Sequence, residues 1–216
     1  MCGVIGMHST EPRGHHLDAF CRLMEQSKIR GLHSFGISSS RPGHGDGIET
    51  FVSHKIENTK LRVLEMRPRP PEILIGHNRY STSGDWKDHS NNQPIHIKGV
   101  SLVFNGVISQ ARKEEYEKIF KKTYSTSNDG EIFARKVLDG EDWERFVAAG
   151  KFSFAGLFIH QGRLVALRNK NRPLWSATYL GAKYFASTED IFIRAGGFKN
   201  ISELPAGKAF VFEASR

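Results

Sequence analysis

Cysteine is nearly missing from this chain: among 216 residues only Cys2 and Cys21 carry a thiol. Two cysteines so placed supply neither a disulfide framework nor the paired spacing of a zinc site, and a reduced, cytoplasmic setting suits them. Long apolar runs are missing too. No stretch approaches the roughly 20 apolar residues that cross a bilayer, and nothing at the start combines a basic region, an apolar run and a small-residue cleavage site. Gly43 to Gly47, Arg67 to Pro71 and Tyr80 to Gln93 have loop composition, but none is long or biased enough to be an interdomain linker. There is no internal repeat. Acidic charge is the minority, since 31 Lys and Arg against 23 Asp and Glu leave a net charge of +8. Such an excess suits phosphate binding. The basic residues are scattered, however, in small clusters such as Arg67-Pro68-Arg69, Lys121-Lys122 and Arg168 to Arg172. With no nucleic-acid-binding motif beside them, a solvated surface is the simpler account.

What is present is enough for one compact domain. A hydrophobic fraction of 38% can bury a core without staples. Short segments rich in Val, Ile and Phe predict strands at Gly3 to Met7, Phe35 to Ser40, Ile73 to His77, Val100 to Asn105, Phe152 to His160, Arg163 to Arg168, Tyr184 to Ser187 and Lys208 to Phe212. Leu17, Phe20, Cys21 and Met24 share one helical face, and Lys113 to Lys122 and Glu131 to Leu138 also read as helices. Strands and helices come in groups, which favours a layered α+β arrangement over a doubly wound parallel sheet.

The chemistry starts at the second residue. Removal of Met1 would leave Cys2 with a thiol and a free α-amine, the amine having a reference pKa near ~7.7–8.0, so one residue would supply both nucleophile and base. A second-position cysteine alone says little. Its context is specific: MCGVIG opens a strand directly, followed in order by RGLHSFG at Arg30 to Gly36, GHNRYSTSG at Gly76 to Gly84, NNQPI at Asn91 to Ile95, FNGVI at Phe104 to Ile108 and SNDGE at Ser127 to Glu131. This series resembles the glutaminase domain of class II glutamine amidotransferases. It is most similar to that of glucosamine-6-phosphate synthase and phosphoribosyl pyrophosphate amidotransferase, and more distantly to that of asparagine synthetase. GKFSFAGLF from Gly150, RNKNRPLW from Arg168 and YFASTED from Tyr184 extend the likeness over nearly the whole chain.

The resemblance implies an N-terminal-nucleophile (Ntn) hydrolase fold, a four-layer αββα sandwich of two antiparallel sheets. It implies Cys2 as the nucleophile that attacks the side-chain amide of glutamine and forms a γ-glutamyl thioester. Asn105 and Gly106 are the expected oxyanion donors, each such donor being worth ~2.7–4 kcal/mol; Asn-Gly is also a common hairpin turn. Arg79 is expected on the substrate carboxylate, where a guanidinium fork is suited, and Asp129 on the substrate ammonium. A helix-capping role for Asn128 or Asp129 is also consistent with SNDGE. Thr82 matches a threonine near the glutamine carboxylate, and Arg30 an arginine near the nucleophile. No cofactor and no metal are expected, for the ten histidines show no ligand spacing. His15-His16, His44 and His54 read as surface residues, and His33 and His77 as residues that orient loops.

Familiar members of the family continue into a synthase domain that consumes the ammonia. The expectation here is a single domain over 1–216 without one, delivering ammonia to a separate partner protein. Two other readings stay open at this point: an N-terminal cysteine hydrolase of a different amide, and a catalytically silent regulatory or nucleic-acid-binding subunit.

Overall fold

In the computed structural model, residues 1–40, 47–81 and 84–215 are described. They form two sheets in which every strand pairing is antiparallel. The first sheet contains β1 (Gly3–His8), β2 (Ser34–Ser40), β3 (Ile48–Ser53), β4 (Ile73–Arg79), β9 (Trp175–Tyr179), β10 (Ala182–Ala186) and β11 (Lys199–Glu203), in the order β11-β9-β10-β1-β4-β2-β3. The second contains β5 (Ile95–Ile97), β6 (Val100–Val107), β7 (Ser153–His160), β8 (Arg163–Arg168) and β12 (Phe210–Glu213), in the order β12-β8-β7-β6-β5.

Alternation along the central strands explains the layering. Ile5 and Met7 of β1 point into a core shared with α1 (Gly14–Gln26), α2 (Ile56–Leu64) and α6 (Glu189–Ala195), whereas Val4 joins a second core between the sheets. On β7, Leu157 and Ile159 enter that inter-sheet core, while Phe154 and Phe158 pack against α4 (Gly130–Leu138) and α5 (Trp143–Ala149). The result is helices, sheet, sheet, helices. This is the expected α+β sandwich, with α3 (Lys113–Phe120) packed outside α4 through Tyr116 and Ile132. Gly6 lets the sheets meet, since a Cβ there would lie 2.4 Å from a Leu157 methyl.

One histidine departs from the surface expectation. His16 is buried because its Nδ1 accepts the Arg13 N–H at 3.1 Å and caps α1, while its Nε2 donates to the Leu180 carbonyl at 3.1 Å. His54 is exposed as expected, and His44 lies outside the described residues. Among the described residues no helix is long and apolar enough to cross a membrane.

Candidate active site

Strand β1 starts immediately after Cys2, in the middle of its sheet between β10 and β4. Three segments hold the half-buried Cys2. Its N–H donates to the Asn105 side-chain oxygen at 3.3 Å, its thiol to the Tyr80 carbonyl at 3.4 Å, and its carbonyl accepts the Arg30 Nε–H at 2.9 Å. Arg30 ends a 3-10 turn, Ser27–Arg30. The next residue must be small: a Cβ on Gly31 would lie 2.2 Å from the Arg79 carbonyl carbon. Burial pushes the Cys2 thiol above its ordinary pKa, although Arg79 and Arg30 pull the other way. The resting sulfur is therefore a thiol that needs a base before it can attack.

Asn105 and Gly106 lie inside β6, opposite Ala155 and Phe154 of β7, so the hairpin-turn reading falls. The Asn105 amide is oriented by its neighbour. A Cys2 N–H can only donate, so the atom facing it is Oδ1, which leaves Nδ2 on the other side. That Nδ2 is buried with no hydrogen-bond partner among the described residues, an arrangement that costs roughly 1–3 kcal/mol unless something accepts from it.

Arg79 is the last residue of β4 and is 2% exposed. Its guanidinium donates to the Asn92 side-chain oxygen and to the Gly84 carbonyl, and Asn92 in turn donates to the Trp86 carbonyl at 2.8 Å. Burial pulls the guanidinium pKa down, while the negative charge of Asp129, and of Cys2 once it ionises, supports it, which puts all three groups in one electrostatic neighbourhood.

Asp129 stands at the N-cap position of α4, but its side chain makes no capping hydrogen bond. The local turn is made by Asn128, whose side-chain oxygen accepts the Gly130 N–H at 3.1 Å, while Asp129 Oδ2 accepts from Ile108 N at 2.6 Å and Ser109 N at 3.0 Å. Burial raises the Asp129 pKa against those two bonds. The structure thus brings Cys2, Arg30, Arg79, Asn105, Gly106 and Asp129 around one end of β1, β4 and β6. Thr82 lies outside the described residues.

Several supporting residues have no role assigned from sequence alone. Gln93 accepts the Phe104 N–H at 2.6 Å and so fixes the strand before Asn105. Asn91 accepts the Ser127 N–H at 2.8 Å and its carbonyl takes the Asn128 amide at 2.9 Å, tying the loop behind Arg79 to the segment carrying Asp129. Glu131, fully buried, clamps Ser125 N and Thr126 N at 2.8 and 2.7 Å. The NNQPI and SNDGE motifs were the signal for all three. His33 accepts the Ser81 N–H at 2.9 Å and stacks between Tyr80 and Trp86. Cys21 packs in the helix-side core with its thiol pushed up to about 11. Among the described residues no His, Cys, Asp and Glu cluster is placed to hold a metal.

No protein-family model matches the chain. It is 27% identical, over 97% of its length, to the amidophosphoribosyltransferase of Pyrococcus horikoshii. It is 24% identical, over 89% of its length, to the isomerizing glutamine–fructose-6-phosphate aminotransferase of Sulfurisphaera tokodaii. The matches cover 47% and 34% of those proteins, so the chain spans at most about half the length of the curated relatives it matches. The fold superposes on the glutamine phosphoribosylpyrophosphate amidotransferase of B. subtilis with a TM-score of 0.77 at 18% identity, covering 98% of this chain and 47% of that one.

Proposed function

The chain resembles the class II glutamine amidotransferase domain in sequence and has its Ntn-hydrolase fold, and from that premise we infer that it releases ammonia from the side-chain amide of glutamine. Arg79 binds the substrate α-carboxylate and Asp129 the α-ammonium, so that the amide carbon comes to the Cys2 sulfur. Loss of Met1, whose side chain is exposed and whose sulfur accepts from Arg30 at 3.6 Å, frees the Cys2 amine. Asn105 Oδ1 then accepts one N–H and turns the amine lone pair away from itself, ready to take the thiol proton directly or through water.

The S–C bond forms as the carbonyl π pair moves to oxygen. Asn105 Nδ2 and the Gly106 N–H receive that oxyanion. Collapse breaks the C–N bond, the leaving nitrogen takes the proton held by the amine, and a γ-glutamyl thioester remains. Water, deprotonated by the same amine, hydrolyses the thioester to glutamate and regenerates the thiol. Arg30, held on the Cys2 carbonyl, positions the nucleophile. A reducing, cytoplasmic setting keeps the thiol competent. We place the acceptor of the ammonia on a separate partner protein, docked over the site so that ammonia passes before it is protonated.

The observation that carries this reading is the buried Asn105 Nδ2, without a partner among the described residues, beside a cysteine whose own nitrogen is held by the same side chain. Intact mass and glutamine-dependent ammonia release test it together. The parent protein should lack Met1 and release ammonia, with a partner raising the rate. Cys2→Ala should be folded and inactive; an active Cys2→Ala protein would sink the proposal.

A further inference from the structure

A cavity of about 530 Å³ lies where the chain leaves β6, between Val107 and Ile108, Phe152 at the entry to β7, and the turn carrying Asn171 and Arg172. Its charge is one-sided. Lys151 and Arg172 line it, and among the described residues no carboxylate does. Neither cation has an acidic partner within 4.0 Å among the described residues. Other arginines of the chain do find one: Arg163 meets Glu213 and Arg168 meets Glu203, each at 3.1 Å. Arg172 also keeps its Nε buried without a hydrogen-bond partner among the described residues, and a charged donor so placed is costly unless an anion completes it.

The walls are fixed. Asn169 and Asn171 both donate to the Phe152 carbonyl, at 2.7 and 2.8 Å, and Asn169 Oδ1 accepts the Phe154 N–H at 3.2 Å. Arg168 donates to the Arg172 carbonyl at 3.1 Å. The guanidinium is thus carried on a stitched turn, which lowers the ordering cost of binding.

We propose that this cavity binds a small oxyanion-bearing molecule, a phosphate ester or a carboxylate, between Arg172 and Lys151. The fork of Arg172 suits two oxygens of either group, with Lys151 as a second point charge. The site adjoins the reaction centre: Ile108 lines it and gives its N–H to Asp129. Arg172 is also among the charges that bear on Arg30, the holder of the Cys2 carbonyl, so an anion here would relieve like-charge repulsion beside the nucleophile. The inference goes beyond the glutaminase reading and does not require it.

Calorimetric titration of the full chain with inorganic phosphate and, separately, with malonate tests it without reading turnover. Saturable binding of at least one anion is expected, weakened about ten-fold or more by Arg172→Gln and by Lys151→Gln, the effect of losing a charge-assisted bond. Lys199→Gln, the same charge change on edge strand β11 of the other sheet, should leave affinity within about two-fold. Competition then assigns the source: the tighter of phosphate and malonate marks a phosphate ester or a carboxylate. Absence of saturable binding by both anions, or equal weakening by Lys199→Gln, overturns the proposal. Should Arg172→Gln fail to fold, Lys151→Gln decides on the same criterion.

Discussion

Asp129 shows at the scale of a residue how a group proposed to bind substrate can oppose the fold that carries it. Its carboxylate is buried and its pKa raised, chiefly by that burial, so the folded state disfavours the ionised form. The sign follows directly. A carboxyl whose folded pKa lies above its unfolded value adds stability at low pH, and that contribution is lost as pH rises through the raised value. Asp129→Asn should therefore be no less stable than the parent at neutral pH, and its relative stability should improve from acid towards neutral pH. Removing the anion proposed for the substrate ammonium should at the same time raise KM for glutamine by about 10- to 100-fold, the worth of one charged hydrogen bond. Thermal melts across pH, with KM for glutamine, check both halves. A destabilised variant with unchanged KM would make the carboxylate a mere clamp for the Ile108 and Ser109 amides. Of this the sequence showed the motif and the candidate anion. It did not show the division of labour between Asn128 and Asp129, because both residue types suit a helix start and only the fold decides which side chain turns inward.

Strands and helices were legible where their burial is periodic and local. Arg163–Arg168 was expected with its observed bounds, and β1, β2, β4 and β7 within about two residues at each end. β3, β5, β9 and β11 were not, nor were α2, α5 and α6. The residues of β11 are mostly exposed, leaving no apolar alternation to read, and α6 spans only seven residues, two turns of weak pattern. The placement of Asn105-Gly106 inside β6 is an element-scale fact with a consequence. A Cβ at Gly106 would lie 2.0 Å from the Ser153 carbonyl oxygen, and that oxygen is backbone of the neighbouring strand and cannot swing aside. Gly106→Ala should therefore separate β6 from β7 at the proposed oxyanion position, costing about 1–3 kcal/mol and most of the activity. Gly14→Ala is the control, since a Cβ there meets nothing nearer than 3.8 Å. Unfolding in urea and ammonia release report the two effects. A Gly106→Ala protein with parental stability would show that the strands yield at that point.

Across the whole molecule, the non-local pairings were the part no local pattern could carry: β1 lies between β4 and β10, matching Ile5 with both Gly76 and Ala186. His77 is fixed by that architecture. It sits on β4, pairs across to Val4 and Gly36, and donates from Nε2 to the Phe104 carbonyl of the opposite sheet at 3.2 Å. A bond to a carbonyl puts the proton on Nε2, leaving Nδ1 bare and without a partner among the described residues. Complete burial, aided by Arg79, lowers its pKa to about 3. An unfolded histidine takes its proton near ~6.5, so between that pH and about 3 the unfolded chain holds a proton here that the folded chain does not. Stability from His77 is thus complete above the unfolded value and falls as pH drops, by up to ~1.4 kcal/mol per pH unit. His77→Gln keeps an N–H for the Phe104 carbonyl but cannot titrate, so it should start less stable at neutral pH and lose less on acidification. Urea midpoints of parent and variant at pH 7, 6 and 5 would converge by about that slope. A constant gap would mean that the two sheets part in acid for reasons that do not involve this imidazole.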